Sequence, residues 1–544
     1  MKKNSFMEGA FVATLAIIIS KVIGILYVIF LYPMLGEKGG ALYGYAYAIY
    51  TLFLGISIAG IPFAISKITS EYEALGYFYT KEKAYKIGKL FISILGIIGF
   101  LFMFIFSDKI GYYFVGNNTG GNTVEDVSFV IKVISTALLV VPILSVSRGY
   151  LQGHKYIGVS SYSQVIEQFA RVSLLLIGTY LALNVFKLGL TNSVGVSVFA
   201  ATFGAIIAYL YLYLKIKKEH LDNNNYKISD IERRITNKSI LKKIIIYAIP
   251  FVLINSIRSM FSFIDLSDIN KAMVLLGYKF SEAEEVASIF STWGGKLESI
   301  VFAISTGLVI SMIPHITSSF ALGNKKDIAR KVNTSIQVLL FVLIPLVIMI
   351  SVLTVPIWNI FYGYNALAHT VFRIFILGTL FIALYNLTCS ILNCISESKI
   401  VMLSVAVGLS LKLIFNKALM NSMYLLGFHP SYGITLTSIL AFTIASLINL
   451  YYIKTKVGIN YKDTFSKLGN ILFGTSIMLI AMLLLQFIVP FNNESRIASL
   501  FILGFYGIIG VVIYLCIMIN NNTVYDIFGI NIFSEIKKKL KKRV

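Results

Sequence analysis

Gly60-Ile61-Pro62-Phe63-Ala64-Ile65-Ser66 closes one apolar run of the chain, and Met312-Ile313-Pro314-His315-Ile316-Thr317-Ser318 closes another. Each puts an Ile-Pro pair near the cytoplasmic end of the second helix in a set of six, so the two runs read as equivalent points of an internal repeat. A second correspondence lies downstream. The fourth helix of the first set runs into Leu151-Gln152-Gly153-His154-Lys155, and the fourth of the second set into Leu392-Asn393-Cys394, with Lys399 just beyond. Six is even, so both sets enter the membrane in the same orientation. Repeats of that kind are related by an axis along the membrane normal, with substrate sites near the bilayer midplane.

Apolar runs of about 20 residues, each long enough to span a bilayer as a helix, recur from end to end. The 544 residues are 57% hydrophobic and only 13% charged, and the mean hydropathy is +0.81. A soluble protein of this length needs far more polar surface. The pattern predicts fourteen spans, the first over 8–34, the second over 42–66, the fourth over 127–150, the seventh over 244–264 and the eighth over 287–317. The expected fold class is an all-α polytopic membrane protein: two six-helix lobes in pseudo-twofold repeat plus two C-terminal helices. Its expected domains are an N-terminal lobe over 1–214, a basic cytoplasmic linker over 215–243, a C-terminal lobe over 244–455, and two extra helices with a basic tail over 456–544. The opening Met-Lys-Lys-Asn-Ser precedes a run too long for a signal-peptide core, so it reads as a retained first helix.

A net charge of +22 invites a nucleic-acid reading, but its distribution opposes one. With the N-terminus in the cytoplasm, Lys and Arg concentrate in the cytoplasmic loops, as the positive-inside rule requires. The densest runs, Lys215 to Lys243 and Lys537 to Arg543, suit anionic lipid head groups. Both termini are therefore expected in the cytoplasm, with membrane lipids as partners and no nucleic acid; a monomer is expected. Cys389, Cys394 and Cys516 lie within expected helices without metal-ligand spacing and read as packing residues. The histidines are scattered. No metal site, cofactor or Gly-x-x-x-x-Gly-Lys-Ser/Thr phosphate loop is visible.

Seven cations sit inside apolar runs: Lys21, Lys132, Arg171, Arg258, Lys296, Arg373 and Lys412. Glu167, Glu298 and, at a run edge, Asp265 are there to balance them. A charge at bilayer depth costs about 3 kcal/mol or more, so it faces a partner or a watery cavity. An excess of cations points to a cavity for an anion. Lys21 is central in its span and reads as cavity-lining or as a partner of Glu167. Glu167 and Arg171 are spaced i,i+4 with the acid first, which favours a helical ion pair; gating or ligand contact is the alternative. Arg258 and Lys296 sit in the outer halves of adjacent spans and are candidates for substrate contact, with Glu298, Asp265 and Asp268 nearby in sequence. Arg148, at a cytoplasmic helix end, reads equally as an anchor and as a substrate-head contact. Lys132 and Arg373 lie near outer ends, where long side chains snorkel. Lys412 and Asn416 share one helix face and are candidates for ion coupling.

Several of these residues fall in motifs that resemble a known family. Gly60-Ile61-Pro62-Phe63-Ala64-Ile65-Ser66-Lys67, Val146-Ser147-Arg148-Gly149-Tyr150-Leu151-Gln152-Gly153, Ser163-Gln164-Val165-Ile166-Glu167-Gln168, and Phe263-Ile264-Asp265 with Asn270-Lys271-Ala272-Met273 are similar to the polysaccharide-transporter branch of the multidrug/oligosaccharidyl-lipid/polysaccharide exporter superfamily. Within it, the likeness is to the Gram-positive lipid II flippases and their stage V sporulation relatives. The resemblance implies alternating access between two lobes, no enzymatic activity, and a lipid-linked oligosaccharide diphosphate as cargo. It implies that Lys21 and Lys296 stand where family members carry cavity cations for the diphosphate. It also implies a departure: two further arginines of Gram-negative members fall on Tyr27 and Leu54. A membrane potential of ~100 mV, negative inside, is worth about 2.3 kcal/mol per charge moved, so outward passage of an anionic head group is downhill. Other readings remain open from sequence: a carrier of another lipid-linked oligosaccharide, a cation-coupled drug exporter, or an integral-membrane glycosyltransferase.

Overall fold

The computed structural model describes residues 19–528 apart from 21, 22, 25, 59, 119, 219–228, 322 and 492–494. Lys21 and the basic tail lie outside the described residues, as do much of the expected first span and the middle of the Lys215–Lys243 run. Among the described residues the chain is helical throughout, with no strand. The helices form two compact units, 1–293 and 294–544.

The first unit begins with α1 (Val28–Ile58), in which Gly36 turns the chain at φ 58°, ψ −165°. Side chains rarely adopt that conformation, which suits glycine. The expected second span does not run unbroken to Ser66. Helix α1 ends at Ile58 and a new helix, α2 (Ile61–Ala74), starts on the Ile-Pro pair. Proline has no N–H to contribute but fits the first helical turn, where none is needed. Gly60 at this break lies against the backbone of Ala248; a Cβ there would meet the Ala248 carbonyl at 2.1 Å.

Next come α3 (Phe78–Ile105) and α4 (Ser107–Val115), then α5 (Val124–Ser135) and α6 (Ala137–Gly153). Thr123 and Asp126 form a capping box at the start of α5, satisfying donors that a helix start leaves open. Pro142 inside α6 cannot donate to the Leu138 carbonyl. That carbonyl abuts Gly96 of α3, where a Cβ would sit 2.4 Å from it. Then follow α7 (Ile157–Ser173), which continues through π-helical turns to Val185, α8 (Leu190–Lys218), the short α9 (Asp230–Arg234), the long α10 (Asn237–Leu275), and α11 (Phe280–Ser288). The family-like motifs interlock here. Gly149 faces Pro62 and Gly153 faces Ser66 and Thr69 at distances a side chain would close. Close approach through small residues is how helices associate where lipid removes the hydrophobic drive between them.

In the second unit, α12 (Gly294–Ala321) is followed by α13 (Lys325–Val352), α14 (Thr354–Tyr362), α15 (Ala366–Phe375), α16 (Gly378–Cys394), α17 (Ser398–Leu425), α18 (Ser431–Val457), α19 (Lys462–Ile488), α20 (Arg496–Asn520) and α21 (Thr523–Phe528). The element order of the first unit recurs. α3 and α4 have 28 and 9 residues, as have α13 and α14. α5 and α6 have 12 and 17; α15 and α16 have 10 and 17. The last long helices are tied to α13: Gln337 donates to Asp463 and to Thr464, both at 3.0 Å, and Tyr514 donates to the Phe341 carbonyl at 2.9 Å.

Ten helical stretches of the described residues are long and apolar enough to cross a membrane. Cys389 and Cys394 are buried, but Cys516 is exposed on α20, so it is not the packing residue its apolar neighbours suggested. Large apolar side chains such as Phe487 and Phe501 are also exposed on α19 and α20, as helix faces turned to lipid would be.

Candidate functional site

Two charges of the first unit, Glu167 and Arg171, lie where α1, α6 and α7 meet. Arg148, near the end of α6, places a guanidinium nitrogen 2.7 Å from Glu167 Oε2, and its Nε donates to Ser163 Oγ at 2.8 Å. The expected helical pair between Glu167 and Arg171 does not form. Glu167 instead reaches across to Arg148 on the neighbouring helix.

Arg171 turns to α1. It donates to the Tyr47 hydroxyl at 2.5 Å, and its Cζ lies 5.4 Å from the centroid of the Tyr47 ring. Tyr43 stacks on Tyr47 at 4.4 Å, and Tyr50 meets Tyr47 edge-on at 5.6 Å. The three stand at i, i+4 and i+7, one face of a helix. Tyr27, Tyr43 and Tyr50 all lie close enough to act on Arg171 electrostatically. One of the two positions at which the resemblance implied a missing arginine, Tyr27, thus neighbours an arginine from another helix. Sequence reading singled out Arg171 but missed the tyrosine stripe; the spacing in Tyr-Gly-Tyr-Ala-Tyr-Ala-Ile-Tyr was the available signal.

The other face of α1 builds a second polar cluster. Glu284 of α11 is buried and accepts from the Asn122 backbone N–H at 2.8 Å and from its side-chain amide at 2.7 Å. The Tyr45 hydroxyl is 3.5 Å away and accepts from Asn270 at 2.7 Å. Burial pushes the Glu284 carboxyl up to about 7; the Asn122 bonds, Lys38 and Tyr45 oppose that shift without cancelling it. A third cluster joins α2, α3, α6 and α10: Lys81 pairs with Glu73 at 2.7 Å, Lys243 with Glu71 at 2.7 Å, and Tyr150 donates to Glu82 at 2.5 Å. None of these acids was singled out from sequence, since each becomes informative only once its partner helix is in place.

Of the remaining candidates, Arg258 is half-buried on α10, and Asp265 and Asp268 are buried on the same helix. Lys296 is half-buried and Glu298 buried at the start of α12. Lys132 is exposed and 3.4 Å from Asp108. Arg373 is exposed at the end of α15. Lys412 and Asn416 are both fully buried on α17; the Lys412 ammonium donates to the Ile434 carbonyl at 3.1 Å and to Ser438 at 2.7 Å, both on α18.

A many-span helical protein with a repeated element order and buried cations at mid-span belongs to the class of membrane transporters rather than enzymes. The family described as polysaccharide biosynthesis protein matches residues 6–277, and the MatE family matches 259–417. The lipid II flippase MurJ of Bacillus subtilis (strain 168) is 31% identical over 522 residues, 94% of this chain and 94% of its own. In fold, the chain is similar to a lipid II flippase MurJ solved in an inward closed conformation (TM-score 0.63, 15% identity, 95% of this chain and 99% of that one). It is also similar to an inward-facing multidrug resistance MATE family transporter of the MOP superfamily (TM-score 0.63, 13% identity, 82% and 98%). The chain belongs to the polysaccharide biosynthesis protein family.

Proposed function

We propose that this protein is a lipid II flippase. It would carry the undecaprenyl-diphosphate-linked peptidoglycan precursor from the cytoplasmic to the outer leaflet of a bacterial plasma membrane, by alternating access and without ATP. The observation that carries the reading is identity to a lipid II flippase running through 94% of both chains. Cations at membrane depth support it, since a diphosphate needs counter-charge where water is scarce. In this reading Lys21, Lys296, Arg171 and Arg258 contact the cargo, with Arg148 as a further candidate. Glu167, Glu298 and Asp265 serve as gate or ion-pair residues, and Lys412 with Asn416 takes part in ion coupling. Both termini are cytoplasmic, the chain acts as a monomer, and the number of spans is fourteen.

The test is a reconstituted flipping assay with defined lipid-linked sugars, beside complementation of a flippase-depleted strain. Movement of lipid II and rescue of lysis are expected. Transport of a different undecaprenyl-linked oligosaccharide without rescue would replace the cargo, an alternative the family's polysaccharide description keeps in view. Within that assay, Lys296→Arg keeps much of the activity and Lys296→Gln loses most of it. An amide offers hydrogen bonds without the Coulomb attraction that a charge-assisted contact adds.

A further inference from the structure

We infer that Arg171 and the tyrosine stripe of α1 form the anion-holding site of the first unit, taking a phosphate-ester group at mid-membrane depth. The inference rests on the cargo class proposed above and names a contact within it. It separates two arginines that the sequence reading both kept as candidate cargo contacts.

Arg148 is already neutralised. Its guanidinium is 2.7 Å from the Glu167 carboxylate and bonds Ser163. A phosphate arriving there would have to displace a carboxylate. Arg171 differs. Among the described residues no carboxylate pairs with it, and its bonded neighbour is the neutral Tyr47 phenol. A phenol fixes a guanidinium in two ways without cancelling its charge: the hydroxyl oxygen accepts an N–H, and the ring face attracts the cation. The stripe thus aims a full positive charge and leaves its counter-charge to be supplied.

Two further observations point to a ligand. Arginine carries five N–H donors in a planar fork suited to phosphate oxygens. Arg171 commits one of them to Tyr47 and remains half-buried rather than sealed. Beside it, the Tyr43 hydroxyl is buried, 2% exposed, and reaches no described partner at full hydrogen-bond distance, with the Tyr27 and Tyr47 hydroxyls and Arg171 close around it. Leaving a buried hydroxyl unpaired is costly, so such groups call for an explanation. A phosphate oxygen bound to Arg171 would accept from it. The site also sits at the right depth: Arg171 is central in the span Ile157–Val185, where the head group must pass between the two faces of the membrane.

The experiment measures binding of undecaprenyl diphosphate, undecaprenyl phosphate and undecaprenol to the purified full-length protein in detergent, by native mass spectrometry. None of these lipids carries a carboxylate, so the phosphate alone is read. Wild-type protein is expected to retain the diphosphate over undecaprenol. Arg171→Gln should weaken the diphosphate about tenfold, as loss of a charge-assisted contact does, and Arg171→Lys less. Tyr43→Phe, which keeps the ring and the packing, should weaken it roughly threefold, the scale of one hydrogen bond. Undecaprenol retention should not change in any variant. Added inorganic pyrophosphate that competes in wild type but not in Arg171→Gln supports the site and shows that phosphate alone suffices. Failure to compete, with the variant losses intact, supports it and assigns recognition to the lipid-borne ester. Wild-type affinity in both Arg171→Gln and Tyr43→Phe overturns the inference. If Arg171→Gln fails to fold, Arg171→Lys and Tyr43→Phe decide alone, and wild-type affinity in both overturns it. A wild-type protein that retains no prenyl diphosphate at all strikes the proposed cargo instead, so the two failures are distinguishable.

Discussion

Arg148 and Glu167 form an ion pair between α6 and α7, 2.7 Å apart with side chains 15% and 21% exposed. A pair buried to this degree is most damaging when broken from one side, because the remaining charge keeps its desolvation cost and loses its partner. Arg148→Met and Glu167→Gln should each lower stability by about 3 kcal/mol. The double variant Arg148→Met/Glu167→Gln should lose clearly less than the sum. Thermal melts of the purified single and double variants provide the cycle; additive losses would show that the two side chains do not act on one another.

The pH dependence of stability should carry a signature of Glu284. Its folded-state pKa is raised to about 7 from 4.5. The native state therefore holds a proton that the unfolded chain has released between those values. That contribution is fully present below about pH 4.5 and is lost as pH rises through about 7, a change on the order of 3 kcal/mol. Melting temperature should fall between pH 5.5 and pH 8 in the wild type. In Glu284→Gln, which keeps a neutral side chain beside Asn122, that slope should flatten. An unchanged slope in the variant would assign the pH dependence to other groups.

Two glycines should respond oppositely to alanine. Gly60 stands where the chain breaks between α1 and α2, and a Cβ would lie 2.1 Å from the Ala248 carbonyl oxygen. Backbone cannot yield as a side-chain tip can, so Gly60→Ala should cost about 1–3 kcal/mol and depress folded yield. Gly307 lies inside α12, and among the described residues nothing lies within 4 Å of the place a Cβ would take there. Gly307→Ala should be neutral or stabilising by about 0.5–1 kcal/mol, the helix-propensity difference. Size-exclusion profiles and melts of both variants test the contrast.

These cases show what could be read from sequence and what could not. The all-helical class and the long apolar helices were legible, because apolar length and Gly or Pro punctuation are local properties. Helix α7 and its Glu167 and Arg171 were placed correctly, yet the pairing was not. An i,i+4 spacing is visible along one helix, whereas Arg148 reaches Glu167 only after α6 packs on α7. The break before Pro62 was read as the end of one span; Gly60-Ile61-Pro62 carried its local signal, whereas the close approach of Ala248 to Gly60 was not visible. Glu284 and Asn122 carry no motif, and their pairing exists only once the carboxylate is buried beside the Asn122 amide. The tyrosine stripe was visible as a period but carried no meaning without the arginine it faces.

Lys412 offers a test that separates structural from functional roles. Its ammonium is fully buried at mid-span and bonds the Ile434 carbonyl and Ser438 hydroxyl of α18. Helices α16, α17 and α18 carry no Asp or Glu along their lengths, so the oxygens nearest the charge on these helices are neutral. Ser438 also donates to the Ile434 carbonyl at 3.1 Å, so both acceptors stay bonded to each other if the lysine is removed. Replacing a buried charge with an apolar side chain of similar length is often neutral or stabilising. Lys412→Met should therefore melt within about 1 kcal/mol of wild type. If the lysine couples transport to an ion, the same variant should lose the response of lipid flipping to an imposed pH or ion gradient in proteoliposomes. A large drop in melting temperature would make Lys412 a structural strut. Unchanged stability together with an unchanged gradient response would remove it from the coupling machinery.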